Sequence, residues 1–497
     1  MYKSILEALF SHAKAHPTKL CLVDDFKDIT YGDYVKQALK IATRLKELGI
    51  QSGSRVLVEA SQSIDYLSVQ VALQIIGAIF VPIVANCSAQ KIDSFTKKIS
   101  PVILVLNKIT NDRKTVIERP VITINELIES SKNHVPLSES EVVFPKPHDV
   151  SEILFTTGTT GDEKGIVISF DNNVAIAENV INGLQMKEDN VEFILSPFNH
   201  SHGLRRYYAN LLMGTTVVMQ SSVVFVKNII DKIDKYHVNS MDLVPSALTL
   251  FLKLTQDLLG NYKDTFRYIQ LGSAPILESD KEMLRKLLPY TKLYNMYGST
   301  ESGVSCVYEF SSETKPNCIG RPAYNSAIIV VDDEHHEILS SEKNPGYLAC
   351  KSRANMLAYY GLNPTSFVDV LKDGVVYSND VVYFDTDGDL ILLGRKGSII
   401  NIGGNKVSPL EIESVAITYE NIVDCACIPV ADRELGQVPK LFVQLNSSNN
   451  IKANFEEEKF RKFLSLHLDH FMMPRFIEII DVIPRTYKGS LQRNLLK

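Results

Sequence analysis

The sequence predicts an α/β protein. A large N-terminal domain of α/β subdomains plus a β-rich subdomain spans 1–394, and a small α+β C-terminal domain spans 395–497. Three observations carry this reading. Helical periodicity alternates with short apolar runs as far as about residue 318, the pattern of largely parallel sheets joined by crossover helices. Closely spaced strand patterns then replace the alternation. Gly394-Arg395-Lys396-Gly397 breaks that second pattern, and the residues beyond it carry strands and helices of their own.

In chain order, residues 1–10 read as an amphipathic helix. Glu7 comes early and no long apolar core follows, so the segment is not a secretory signal. Residues 34–48 place apolar side chains at helical spacing with Lys and Arg opposite, closed by Gly49. A short strand is expected at 55–59. Residues 66–90 lack charged side chains and are long enough to span a bilayer. Gln70, Gln74, Gly77 and Pro82 interrupt them, which favours a buried helix to Ile76, a turn at Gly77 and a buried strand over 78–84, not a membrane span. Further strands are expected at 103–107, 153–155, 193–196, 216–219, 241–244 and 267–271, and helices at 173–184, 226–236 and 246–258. The β-rich stretch supplies strands at 327–331, 347–351, 375–377, 381–385 and 390–393, with Asp387-Gly388 as a turn. The C-terminal part supplies strands at 423–429 and 440–444 and helices at 411–417 and 455–466.

Composition narrows the function classes. A chain of 497 residues with 45% hydrophobic content can build two or three domains with sizeable cores. Net charge is −6, with no basic face, which argues against nucleic acid as a partner. Seven cysteines lie scattered without a CxxC pair. Neither a disulfide framework nor a zinc pattern is present, so a reducing, cytoplasmic setting is expected. Cys425 and Cys427 should share one face of a strand.

Four segments carry chemistry. Leu154-Phe-Thr-Thr-Gly-Thr-Thr-Gly-Asp-Glu-Lys-Gly165 gathers Thr156, Thr157, Gly158, Thr159, Thr160, Gly161 and Lys164. Backbone N–H groups, hydroxyls and one ammonium suit an oligophosphate. The loop is not a Walker A motif, because Glu163 and Gly165 replace the required glycine and hydroxyl. Gly272, Ser273, Ala274 and Pro275 follow a strand directly. Asn295, Met296, Tyr297, Gly298, Ser299, Thr300 and Glu301 end in a hydroxyl beside a carboxylate, a pairing that suits Mg²⁺ shared with phosphate oxygens. Asp380, fifteen residues before Arg395, can hold two ribose hydroxyls. Singly, each segment has a bland alternative: a surface turn, a capping pair or a solvated aspartate.

Together and in this order, the segments resemble the superfamily of acyl-adenylate-forming enzymes: acyl-CoA synthetases, adenylation domains of peptide synthetases, and luciferases. Ile29-Thr-Tyr-Gly-Asp33 and Gly77-Ala-Ile-Phe-Val-Pro82 resemble its N-terminal landmarks. Pro197-Phe-Asn-His200, with Gly203 close behind, resembles the segment whose histidine borders the acyl pocket. Asn401-Ile-Gly-Gly-Asn-Lys-Val-Ser-Pro409, then Glu411-Ile-Glu413, resembles the first loop of its mobile C-terminal domain. The resemblance covers essentially the whole chain. It implies ATP-dependent conversion of a carboxylic acid to acyl-AMP with release of pyrophosphate. Transfer to a thiol follows, that of coenzyme A or of the phosphopantetheine on an acyl or peptidyl carrier protein. It also implies phosphate contacts from Thr156–Lys164 and Thr300, and Mg²⁺ at Thr156 and Glu301. Adenine would lie near Tyr297 and 272–275, and the ribose on Asp380 and Arg395. The acyl pocket would involve His200, Gly203, Leu204, Gly272 and Gly298, and the small domain would rotate about Gly397.

One departure matters. The family's last motif carries a lysine that bridges the acyl carboxylate and the α-phosphate. In Pro484-Arg-Thr-Tyr-Lys-Gly-Ser-Leu-Gln-Arg493, Ser490 holds that lysine's place and Lys488 lies two positions earlier. Residues two apart share a strand face, so Lys488 is the candidate catalytic lysine, with Thr300, Glu301 and His200 beside it. The alternatives are an adenylation-impaired member acting on preformed acyl-adenylate or thioester, and a nucleotide-binding non-enzyme. His202, Arg205 and Arg206 are polar for an alkyl tunnel. The two arginines are expected to face solvent or a carboxylate. No aspartate occupies 200–203, which disfavours an α-amino acid. A monomer or homodimer is expected.

Overall fold

The computed structural model describes residues 2–157, 163–402, 405–446, 455–485 and 491–497. The largest sheet is built on six parallel neighbours in the order Leu20–Val23, Thr216–Met219, Val191–Ile194, Ser240–Leu243, Tyr268–Gly272 and Lys292–Ser299. Several of their connections are helical, including Ser201–Met213, Val226–Tyr236, Pro245–Thr255 and Glu278–Leu287. Parallel pairing needs such crossovers. Beyond Lys292–Ser299 the sheet turns antiparallel through Gly303–Glu309 and Cys318–Pro322. It continues into Leu390–Arg395, Val375–Phe384, Gly346–Ser352 and Ser326–Val331. The expected β-rich region is therefore hydrogen-bonded onto the α/β sheet. The change of pattern near residue 318 marks hairpin connections taking over from helical crossovers.

A second sheet contains Ile103–Leu106, Arg55–Glu59, Ile79–Ile83 and Val150–Thr157 as parallel neighbours. Glu163–Ser169 adds an antiparallel strand that the sequence reading lacked. The charge-free stretch forms the helix Ile64–Ile75, a turn at Gly77 with φ +72°, and the strand Ile79–Ile83. Among the described residues no helix is long and apolar enough to cross a membrane.

Residues beyond 399 have hydrophobic clusters of their own, formed on Ile422–Asp432, Gly436–Leu445, the parallel strand Phe476–Ile480 and the helices Pro409–Ala416 and Glu457–Ser465. Cys425 and Cys427 lie in one cluster and Ala426 in the other, as strand alternation requires.

Three sequence expectations change. The strands expected at 375–377 and 381–385 are one strand, Val375–Phe384, with a register shift between Val381 and Val382. The helix expected over 246–258 stops at Thr255, and a 3₁₀ segment Gln256–Tyr262 follows. Both arginines are buried: Arg206 meets a carboxylate, that of Glu192, as one branch of the expectation had it, but Arg205 meets neither solvent nor a carboxylate and donates to backbone carbonyls.

The placement of Arg206 explains how the Ser201–Met213 helix sits. His202, Arg206 and Asn210 recur every four residues and share one helix face. That face meets a polar row on the parallel strands. Arg206 Nε donates to Glu192 Oε1 at 2.9 Å, and its Nη2 donates to the Tyr268 hydroxyl at 3.2 Å. Asn210 donates to the other Glu192 oxygen. Asn190 donates to the same tyrosine at 3.0 Å. Burial pushes the Glu192 carboxyl up, while the Arg206 guanidinium draws it down. Removing one member of a buried ion pair strands the other charge in a dry interior. Arg206→Met should therefore lower unfolding free energy by about 3–5 kcal/mol in urea titrations. A loss below about 1 kcal/mol would show that the pair is dispensable.

Candidate active site

The C-terminal ends of the parallel strands open onto a cavity of about 550 Å³, where open α/β sheets place their ligands. Its walls include the Val150–Thr157/Glu163–Ser169 hairpin, the start of the Ser201–Met213 helix, the turn after Tyr268–Gly272, the end of Lys292–Ser299, and the Val375–Phe384/Leu390–Arg395 pair.

Asp380 and Arg395 are directly opposed in the antiparallel register. Arg395 Nε donates to Asp380 Oδ1 at 3.0 Å, and the Tyr297 hydroxyl donates to the other carboxylate oxygen. Burial, together with the Asp380 charge, holds the Tyr297 hydroxyl well above its ordinary range. It stays protonated and serves as a donor. Asp380 is thus a buried acceptor, oriented from two sides, on the cavity wall.

On another wall, Thr156 and Lys164 are register partners in the hairpin. Lys164 Nζ lies 5.0 Å from the centre of the Tyr359 ring, and the Tyr359 hydroxyl donates to Glu301 Oε1 at 3.0 Å. Burial raises the Tyr359 hydroxyl above its usual range, with the Glu301 charge adding to it. Thr300 Oγ1 lies 3.2 Å from Ser201 Oγ. Beneath this loop, Arg205 donates to the carbonyls of Ser299 at 2.8 Å and Thr300 at 3.5 Å. Burial lowers the Arg205 guanidinium to about 10, so it remains charged at neutral pH. Glu152 is also buried below the cavity. It accepts from the Tyr208 hydroxyl at 2.5 Å, and burial raises its carboxyl to about 7.

At the remaining end stand His200 and His202. His200 precedes the first turn of its helix. His202 Nε2 lies 2.8 Å from Asp242 Oδ1. Gly272 lies directly beneath that histidine: a Cβ there would come 2.8 Å from His202 Cε1. Gly298 sits at a bulge where a Cβ would meet the Gly303 carbonyl oxygen at 1.9 Å, so only glycine fits. Ser273 lines the cavity with φ +72°, a backbone region that non-glycine residues enter at a cost.

Among the sequence candidates, the cavity wall gathers Thr156, Lys164, His200, Ser273, Met296, Tyr297, Gly298, Ser299, Thr300, Glu301, Asp380 and Arg395. Gly203 and Leu204 are not on it. Gly203 packs on the Ser196 and Pro197 carbonyls and Leu204 lies in the core. Both lie on the helix face turned from the cavity, so neither forms a pocket wall. Ala274, Pro275 and Asn295 are not among its lining residues either. Thr157 pairs with Glu163 at the end of the hairpin. Gly158, Thr159, Thr160, Gly161, Lys488 and Ser490 lie outside the described residues. Arg485 and Leu491 form an isolated bridge. Arg485 holds Asp424 through two bonds of 2.7 Å, and Arg493 holds Glu413 through bonds of 2.7 and 2.9 Å. Gly397 adopts φ +83° in the turn after Arg395. Sequence reasoning missed Tyr359 and Arg205 as a backbone clamp. The Ala358-Tyr-Tyr-Gly361 run carried no signal beyond a turn.

A family described as AMP-binding enzyme matches residues 9–360, and its C-terminal domain matches 411–490. The chain belongs to the AMP-binding enzyme family. Similar proteins of this AMP-binding enzyme include 2-succinylbenzoate–CoA ligase of Geobacillus sp. (strain WCH70), 26% identical over 505 residues that cover 100% of this chain and 98% of the relative. Another is 4-coumarate-CoA ligase 1 of Narcissus pseudonarcissus, 23% identical and covering 96% and 90%. Among solved structures, ATP-bound MatB from Rhodopseudomonas palustris superposes with TM-score 0.87 at 22% identity, covering 100% and 98%. MenE from Bacillus subtilis with its acyl-adenylate OSB-AMP gives 0.85 at 20%, covering 99% and 97%. These structures share the fold of a large N-terminal and a small C-terminal domain.

The donor set at Thr156 and Glu301 fits Mg²⁺: a hydroxyl and one carboxylate on the cavity wall leave positions for phosphate oxygens and water. Among the described residues, the two groups of three metal-ligating side chains lie elsewhere, at Asp332, Glu334 and His336 and at Asp385, Asp387 and Asp389. Lys315 already occupies the latter group with contacts of 2.7–2.9 Å.

Glu152 makes stability depend on pH. Its folded value of about 7 exceeds the ordinary 4.5. Between these limits the unfolded chain gives up the proton first, so stability falls as pH rises and levels off above about 7. Glu413, likewise raised to about 7 by burial, adds a parallel slope. Glu152→Gln should remove its own contribution, flattening the urea midpoint between pH 5 and 7. An unchanged slope would contradict the placement of Glu152.

Proposed function

We propose that this chain activates a carboxylic acid with ATP as acyl-AMP, releasing pyrophosphate. It then passes the acyl group to the thiol of coenzyme A or of a carrier protein's phosphopantetheine. The observation that carries this reading is the convergence of Asp380, Arg395 and Tyr297 with Thr156, Lys164, Thr300 and Glu301 on one cavity. The similar proteins named as CoA ligases support it. We further propose domains of 1–394 and 395–497, with rotation about Gly397. The seven cysteines are free and buried, in keeping with a cytoplasmic setting.

In this mechanism Asp380 accepts hydrogen bonds from the ribose hydroxyls, held in place by Arg395 and Tyr297. Thr156, Lys164 and the rest of their loop hold the β- and γ-phosphates. Thr300 binds an α-phosphate oxygen. Glu301 and Thr156 would hold Mg²⁺, which neutralises phosphate charge when bound. The acid's carboxylate attacks the α-phosphorus, the bond to the bridging oxygen breaks, and pyrophosphate leaves with that electron pair. No protein nucleophile is needed, so positioning and charge supply the rate. Lys488 would bridge the carboxylate and the α-phosphate in place of the lysine absent at Ser490. Ser490 also favours a second reading, an adenylation-impaired member that uses preformed acyl-adenylate or thioester.

Pyrophosphate release with a panel of carboxylic acids tests the reading. Release should be acid-dependent and followed by thioester formation. No release with any acid, despite binding of acyl-AMP, would favour the second reading. Glu301→Gln should lower kcat/KM by about a hundredfold or more while preserving the fold. Lys488→Ala should cut adenylation by a similar factor, with Ser490→Lys restoring it in that background. Unaltered release by Lys488→Ala would remove this lysine from the mechanism.

A further inference from the structure

We propose that the acyl end of this cavity selects an acid bearing a hydroxyl group remote from its carboxyl group. The inference rests on the ligase reading above and names the substrate class of that site. Ser240 pairs with Glu192 and Tyr268 across the parallel strands, and Asp242 pairs with Ile194 and Gln270 in the next row. Cross-strand partners and residues two apart point to one face. Glu192, Ser196, Asp242 and Gln270 therefore face the Ser201–Met213 helix, whose Arg206 and His202 meet Glu192 and Asp242. The seam runs into the cavity, where Ser196, His202, Arg206 and Gln270 all line the wall.

At that point the pairing is incomplete. Ten buried side-chain polar atoms lack a partner among the described residues, and four of them cluster here: Ser196 Oγ, Arg206 Nη1, Asp242 Oδ2 and Gln270 Oε1. The floor of the acyl end is therefore polar and unsatisfied. An alkyl terminus would leave these buried atoms without partners. A second carboxylate would approach the buried Asp242 charge, and the Arg206 guanidinium on that wall is already paired with Glu192. An ammonium would satisfy the two acceptors but would oppose the Arg206 donor. A hydroxyl donates once and accepts twice, so it alone among these groups serves Gln270 and Arg206 together. The His202–Asp242 contact fixes the imidazole beside it.

Matched acids decide the matter: hexanoic against 6-hydroxyhexanoic and adipic acids, and 3-phenylpropanoic against 3-(4-hydroxyphenyl)propanoic acid. Binding is read by calorimetry with a non-hydrolysable ATP analogue, and turnover by pyrophosphate release. In at least one series the hydroxy acid should bind at least tenfold tighter than its unsubstituted partner, and more tightly than any diacid in that series, because a site built to bond a hydroxyl rejects analogues lacking it. Gln270→Leu should narrow that ratio, and Asp242→Asn provides a second variant of nearly the same shape. Equal or tighter binding of the unsubstituted acids would overturn the inference and assign the floor to water. Preference for adipic acid would overturn it as well. A hydroxyl preference in binding without pyrophosphate release from any acid would leave the inference standing and overturn the ligase reading.

Discussion

The buried pair between Arg206 and Glu192 is the interaction on which the site depends. It seats the Ser201–Met213 helix on the parallel sheet at one height and one rotation. That helix supplies His200 and His202 to one end of the cavity and Ser201 to another wall. One position before the pair, Arg205 grips the carbonyls of Ser299 and Thr300. A single ion pair thereby sets the distance between the acyl end and the residues proposed for phosphate and Mg²⁺. The cost of burying two charges is offset only when their remaining donors and acceptors are satisfied. Asn210 and Tyr268 do this in part, while Arg206 Nη1 keeps no partner among the described residues.

A second constraint is the continuity of the large sheet. The strands Val375–Phe384 and Leu390–Arg395 are hydrogen-bonded, through Cys318–Pro322 and Gly303–Glu309, to the strand that ends in Thr300 and Glu301. Asp380 and Arg395 are therefore held on the same sheet as the strand leading to the Thr300-Glu301 turn. Tyr297 ties the two regions side chain to side chain. Sites built on paired strands hold geometry better than sites on loops.

What the sequence made legible follows from how local each signal is. Asp380 and Arg395, Thr156 and Lys164, and Tyr297 to Glu301 lie in short runs whose composition states a chemistry. Tyr359, Asp242 and the grip of Arg205 depend on which strands become neighbours and in what register, and no single run of residues encodes that. The strand Val375–Phe384 was read as two because Ser378-Asn379-Asp380 interrupts its apolar pattern. Those residues line the cavity of the candidate site, where a polar run can replace an apolar one. Local rules fail most often at functional sites for this reason. The strand Glu163–Ser169 was hidden by a charged, glycine-containing start, although its later residues are buried. The bridge Arg485–Leu491 and the clamp Arg493–Glu413 belong to the same class of long-range pairing.

The central claim is that one cavity receives a ribonucleotide with Asp380 on its sugar. The most direct measurement compares the affinity of AMP with that of 2′,3′-dideoxy-AMP for the intact protein and for Asp380→Asn. The account predicts that the intact protein binds AMP at least tenfold more tightly, and that Asp380→Asn brings the two nucleotides close together. Equal affinities in the intact protein, or an undiminished preference in the variant, would contradict it.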